Sequence, residues 1–428
     1  MQRLQAWFEN KQRAAKNLAF LYTHGRRFKK LEESIHPETW ARHDELLLWA
    51  ESKVAEQAIN ESAQRYKESD DPIVRQGYEL AQQVKQKFQG CRRDCHQLRI
   101  LIHVPPANVS SAYSSLCANF VQAFQFIGIQ TRALEWEDNT DEVLERFKPS
   151  ILLTVDHEGY LNQINWNAVS EYRQSHNLHV GLNASLQEYG NTPLPGRLEW
   201  AEQHEISFYY SFKSQEYIEA RYQEILKCGY QVFHLEFGAN PLLYYPVPGI
   251  ERDLNYIFLG STNPDKWPRY HSYLGSLWQE YPGYIDGPWW HLISRFGGVA
   301  THRYLCARAK VALNLHIHNQ IAWASELNER TYNLAACGVP QLIDYPKILP
   351  ERFSPESFFF ARSPAEYQSN FKIALNDSAE AQRRALQAQK EVFYRHTSFH
   401  RTDSFATQLL GSGLLKKRVQ EQKCIPSQ

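Results

Sequence analysis

From Val311 to Asp344 the chain reads VALNLHIHNQIAWASELNERTYNLAACGVPQLID: a buried apolar run, a polar loop, a short helical pattern and a second buried run. Apolar strands separated by a helix point to a parallel sheet covered on both faces. The helical pattern opens on Glu326, Asn328, Glu329 and Arg330 and shows an apolar face through Leu334, Ala335 and Ala336. Gly338 stands where a helix C′ glycine belongs, and Pro340 forbids continuation. Such a unit turns the helix N-terminus toward the carboxyl edge of the sheet. Free N–H groups and the helix dipole there favour an anion such as a diphosphate. The loop carries His316, His318, Asn319, Gln320 and Ser325, more polar groups than a turn requires. A solvated βα loop without a ligand would carry the same spacing.

The alternation recurs along the chain. LRILIHV (from Leu98), IQTRALEW, ILLTVD, HNLHVGLNA, ISFYYSF and QVFHLEFG form one strand-and-helix series. LNYIFLGS, VALNLHI, GVPQLID and SFFFA form a second. Two successive series predict an α/β fold of two doubly wound, Rossmann-like domains facing a cleft. They divide the chain into 98–245, 246–395 and a crossover and tail at 396–428, with three prolines between Ala239 and Pro248 marking the hinge. The helix SAEAQRRALQAQKEVFYRH should end the second domain.

Residues 1–97 read as an N-terminal α-helical appendage. Leu4, Trp7 and Phe8 fall at helical spacing, a second helix starts at Pro37, and a third follows Asp70, Asp71 and Pro72. Apolar stripes including Trp7, Phe8, Trp40 and Trp49 need a partner. They can pack on each other, on the first domain, or on a second copy in a homodimer. The cluster Arg26, Arg27, Lys29 and Lys30 reads as a solvated helix end, and KKRVQEQKCIPSQ as a frayed tail.

Charge and cysteine usage narrow the class. Lys plus Arg, 47, equals Asp plus Glu, 47, so no bulk field recruits nucleic acid or anionic lipid. No run approaches the ~18 apolar residues of a membrane span. The opening MQRLQAWFENKQRAAKNL lacks the apolar core of a secretory signal. Seven scattered cysteines argue against a disulfide framework and for a reducing cytoplasm. Cys91, Cys95 and His96 form one C-x3-C-H with no second half, so no metal is expected there.

Five segments carry a family resemblance. RTYNLAACGVPQLID resembles the "R-T-F-E-A-L-A-C-G-G-x-x-L-x-D" segment of the CgeB-like (spore maturation protein CgeB group) glycosyltransferases of GT-B fold. YIFLGSTNPDKWPRYHSYLGSL, FGANPLLYYPVP, ARAKVALNLH and HTSFHR resemble other family segments in the same order. The resemblance covers roughly Leu98 to Leu410 and implies transfer of a sugar from a nucleotide-diphosphate sugar on the second domain to an acceptor on the first. It further implies that the terminal helix of the second domain crosses back, and that no metal cofactor is required.

The family's donor positions map onto Gly260, Ser261, Arg269, Arg330, Thr331, Asn333 and Gly338. His316 in the preceding loop and Glu329 complete the donor set; Glu329 either orients Arg330 or contacts the sugar. Arg330 and Arg269 can neutralise a departing diphosphate. The chain departs from the family at Asn333, where Glu usually holds the ribose hydroxyls. For an inverting reaction a base is required. Asp156 follows the strand ILLTV and His103 ends the first strand, so either suits that role. A retaining enzyme needs neither. The alternatives are a GT-B nucleotide-sugar epimerase or hydrolase, and a non-catalytic scaffold that kept the fold.

Overall fold

The computed structural model describes residues 29–40, 63–107, 109–184, 194–261, 266–287 and 299–415. The helical patterns around Trp7, Phe8 and Trp49, the cations Arg26 and Arg27, and the final basic tail lie outside these residues.

The first sheet contains β1 (Arg99–Val104), β2 (Gln130–Glu135), β3 (Ile151–Val155), β4 (His179–Asn183), β5 (Phe208–Ser211) and β6 (Val232–His234), in the order β2-β1-β3-β4-β5-β6. The second contains β7 (Leu254–Leu259), β8 (Tyr284–Asp286), β9 (Ala309–Asn314), β10 (Gln341–Asp344) and β11 (Phe359–Ala361), in the order β11-β10-β9-β7-β8. The paired strands run parallel in both sheets. β1 shows why its run is continuously apolar. Ile100 and Ile102 enter one core layer and Leu101 the other, so both faces of the strand are covered.

Six helices matter for the site: α1 (Pro72–Phe88), α2 (Ser111–Ile127), α3 (Trp267–Glu280), α4 (Glu329–Ala336), α5 (Ser378–Arg395) and α6 (Ser398–Gly411). α1 is started by Asp71, whose carboxylate accepts Ile73 N–H at 2.8 Å, with Pro72 at a position that needs no donor. Its stripe Leu80, Ala81, Val84 and Phe88 joins the main core. Gln76 Nε2 donates to Leu386 O at 2.9 Å and Gln389 Oε1 at 3.1 Å on α5. Upstream, Leu31 and Ile35 are buried in the core of the second sheet, and Thr39 Oγ1 accepts Gly283 N–H at 3.1 Å. The described part of the N-terminal region therefore clasps the second domain and also reaches the first, where Gly90 N–H donates to Phe126 O at 2.9 Å and Arg92 N–H to Ile127 O at 2.6 Å.

The return to the first domain is made by α6 and not by the helix of SAEAQRRALQAQKEVFYRH. α5 stays against α1 and α4, whereas α6 lies on α2 and β6. The chain crosses at Thr397, which bridges Ala239. Below this crossing Glu236 is ringed by His234, Arg352 and Arg401, with Arg401 at 3.0 Å and His234 at 3.4 Å. Burial works against its charge, but His234 and the two guanidiniums hold its carboxyl down at about 2. The HTSFHR segment is thus the hub of the domain crossing.

Candidate functional site

The carboxyl ends of β7, β9 and β10 converge with the start of α4. Asp344, at the end of β10, accepts His316 N–H at 2.8 Å, pairs with His316 Nδ1 at 2.6 Å and receives Arg269 Nη2 at 2.6 Å. Burial alone would raise this carboxyl, yet His316 and Arg269 carry it below the ordinary range. Asn328 caps α4 by accepting Thr331 N–H at 3.0 Å. Its amide also donates to Asn314 Oδ1 at 2.9 Å, and Asn314 donates to Thr331 Oγ1 at 2.9 Å. Thr331 and His316 are consequently tied into the wall that supports the loop.

Arg330 has a different environment. Its guanidinium lies 5.4 Å above the Phe258 ring and against Gly260, where a Cβ would come within 2.5 Å of Nη2. A side chain at position 260 would push the Arg330 guanidinium aside. Nη1 is buried and has no hydrogen-bond partner among the described residues. Burial weakens its hold on the proton, an effect opposed by Tyr270, Tyr367 and Asp344. A cation at a helix start opposes the dipole and is left with donors to spare. Lys266 stands close by, its Nζ donating to Ser261 Oγ at 2.9 Å. Burial and the nearby Arg330 push its ammonium down to about 8. Tyr270 fixes the same loop by donating to Ser261 O at 2.8 Å. Gly260, Ser261, Lys266 and Arg330 form one basic pocket edge, with Arg269 beside it through Asp344.

Glu329 turns the other way, toward the first domain. Asn119 Nδ2 of α2 donates to Glu329 Oε1 at 3.0 Å. Asn333, one turn on, also hydrogen-bonds this carboxylate. Burial raises the Glu329 carboxyl, partly offset by these two amides. Asn333 Oδ1 remains a buried acceptor with no donor among the described residues. Gly338 is placed elsewhere. With φ of 71° it ends α4, and a Cβ there would meet Ile73 Cγ2 at 2.1 Å and Gln389 Nε2 at 2.8 Å. The helix of eight residues puts it about 12 Å along the axis from Arg330's turn, where it packs against α1.

The two base candidates lie on the first sheet. Asp156 is closed by Arg197, with Nε at 2.9 Å and Nη2 at 2.7 Å, and both side chains are buried. Burial raises this carboxyl against the pull of Arg197. His103 is fully buried, with Nδ1 2.9 Å from Thr154 Oγ1 and Nε2 without a partner among the described residues. Burial pushes it down to about 4, so it is neutral at physiological pH. Trp136 and Tyr160 flank it.

Lys266 was not singled out in the sequence, although the argument that marks Arg330 applies to it: a lysine at a helix start against the dipole. Asn119 and Lys213 also enter the site region, and their distance along the chain from their partners Glu329 and Glu326 gives no local signal.

Residues 266–410 match the family described as glycosyl transferase-like. No curated protein sequence matches the chain. Among solved structures, Anabaena HepE in complex with UDP-glucose aligns with a TM-score of 0.50 at 11% identity, over 73% of this chain and 100% of HepE. A Rickettsia africae glycosyltransferase gives 0.49 at 12% identity, over 75% of this chain and 99% of that one. Thermosynechococcus elongatus sucrose-phosphate synthase gives 0.47 at 12% identity, over 73% and 100%. The fold is GT-B, and residues 266–410 are similar to the glycosyl transferase-like family.

Proposed function

We propose that this chain moves a sugar from a nucleoside-diphosphate sugar to a hydroxyl acceptor. The observation that carries the reading is Arg330: a cation in the first turn of α4, pressed on Gly260, with a buried N–H left unpaired among the described residues. It lies inside the glycosyl transferase-like match. A diphosphate leaving group gains charge as the glycosidic bond breaks, and a fixed guanidinium stabilises that charge more than it stabilises the ground state. Lys266 adds a second cation. The open Oδ1 of Asn333 can accept one ribose hydroxyl, in the place where the resembling family uses Glu. HepE holds UDP-glucose, which makes uridine the first nucleotide to try.

On the first domain His103 fits a base better than Asp156. Its Nε2 has no partner among the described residues, whereas Arg197 occupies the Asp156 carboxylate. The order of the five motifs supports a CgeB-like grouping. Six cysteines in the described residues are free thiols, which supports a reducing cytoplasm. None of the described helices is long and apolar enough to cross a membrane. The test is a melting screen with UDP, GDP, ADP and dTDP at millimolar concentration. One of them should raise the melting temperature of the wild type and leave that of Arg330→Ala unchanged. A wild type indifferent to all four overturns the donor-site reading. Release of nucleotide from the matching sugar, with and without acceptor, then separates transferase from hydrolase and from scaffold.

A further inference from the structure

The loop that launches α4 is held by residues of the opposite domain. Lys213 and Ser214 follow β5 on the first sheet. Lys213 Nζ meets Glu326 Oε1 at 2.9 Å, and both side chains are buried, at 5% and 8% exposure. Ser214 N–H donates to Ser325 O at 2.6 Å, and its hydroxyl donates to Ala324 O. Three consecutive residues of the second domain are thus gripped by two consecutive residues of the first. Three positions after Glu326, Glu329 takes its bond from Asn119. Arg221 covers the Trp323 ring at 4.7 Å on the outer side of the same loop. Within the second domain the loop is braced more lightly, by Gln320 Nε2 to Glu326 Oε1 at 3.1 Å and Gln320 Oε1 to Ile317 N–H at 3.2 Å.

We propose that Lys213 is a positioning residue of the donor site: by holding Glu326 across the cleft it fixes the start of α4 and hence the direction of Arg330. This inference rests on the donor-site reading above. Glu326 Oε2 has no partner among the described residues, so the carboxylate depends on one oxygen for its compensation. With the ammonium removed, a buried carboxylate is left uncompensated and is driven toward water. The shortest way out is to lift residues 324–328 away from the first domain. Asn328, the cap of α4, is in that segment. Its bonds to Thr331 and Asn314 would be disturbed, and the Arg330 turn with them. The coupling also runs in reverse: a nucleotide that fixes Arg330 favours the closed pair of domains, because linkage is reciprocal.

The experiment uses the full chain and whichever of UDP, GDP, ADP or dTDP stabilises the wild type most. Lys213→Met should bind that nucleotide roughly tenfold more weakly, within the usual span of coupling between sites, and small-angle scattering should show a larger radius of gyration. Lys213→Met/Glu326→Gln removes the stranded charge and should recover most of both losses. Arg330→Ala should lose binding without expanding. Wild-type affinity in Lys213→Met overturns the proposal. So does a double variant no better than the single, which would place the ammonium on the ligand itself. A wild type that binds none of the four nucleotides ends the donor-site reading only; the scattering comparison still decides whether Lys213 holds the domains, and an unchanged radius in Lys213→Met overturns that.

Discussion

At the carboxyl edge of the first sheet, Asp156 is closed by Arg197 and His103 is neutral and hydrogen-bonded to Thr154. At the corresponding edge of the second sheet, Arg330 keeps an unpaired N–H among the described residues and Lys266 loses part of its hold on its proton to burial and then to a neighbouring cation. The folds are alike and the charge accounting is not. One edge satisfies its ionic groups internally. The other concentrates positive charge that a polyanion can neutralise. An unfilled cation near a helix start, and not the presence of charge, is what distinguishes the edge proposed to receive a phosphate.

The largest effect should come from breaking the closed edge. Asp156→Ala removes the buried anion that closes on Arg197 and should cost about 3–5 kcal/mol of stability, read as the denaturant midpoint. Activity per folded molecule should change little; a loss of turnover without loss of stability would move Asp156 into catalysis. On the open edge the pattern should invert. Arg330→Ala should lower turnover by roughly 10²–10³, as removal of one preorganised donor does, with little change in melting. Equal turnover in mutant and wild type would remove Arg330 from the site.

Asn333→Glu sharpens the comparison further. The resembling family has Glu there, yet here Glu329 already takes a hydrogen bond from Asn333. A second carboxylate would repel it, so nucleotide binding should weaken by about 1 kcal/mol, the order found for contacting residues, and not tighten. Calorimetric titration of the variant with nucleotide reads this, and tighter binding would contradict the repulsion.

The smallest effect is in pH. His103 and His396 are buried and pushed down to about 4 and about 3, below the ordinary value of about 6.5. Between those values the unfolded chain binds protons that the folded chain refuses. Stability should therefore fall as pH drops below about 6.5, by roughly 0.8 kcal/mol per histidine between about pH 7.5 and 6. Glu236, held at about 2, should add a separate loss only below about pH 4.5. Urea midpoints across this range check the sign; a rise on acidification would contradict it.

The sheets were readable because strands covered on both faces leave continuous apolar runs such as RILIHV. Arg330 was readable because its place at a helix start conflicts with the dipole. Gly338 was readable as a helix stop, and its positive φ agrees, but a stop signal does not say what packs on it. Asp156 and His103 show the opposite limit. A strand-end acid has the same sequence environment whether it abstracts a proton or neutralises Arg197. The cleft clamp was invisible for a different reason: Lys213 and Glu326 lie 113 residues apart, and no periodicity relates them. Of the N-terminal stripe residues only Trp40 is described, and its helical spacing did not say that it would pack on the core of the second sheet.

That clasp constrains how the chain can be made. α1 leaves the ribosome early, yet Leu386 and Gln389, which accept its Gln76, are synthesised 310 and 313 residues later. At ~5–20 residues per second the wait is roughly 15 to 60 seconds. Throughout most of it, Ile73 on α1 waits for the C′ turn at Gly338 that it covers. The first βαβ domain can close during synthesis, whereas the second is finished only when α5 has emerged to meet α1. Aggregation in a crowded cell should therefore be decided in that interval, by whatever shields the newborn amino end.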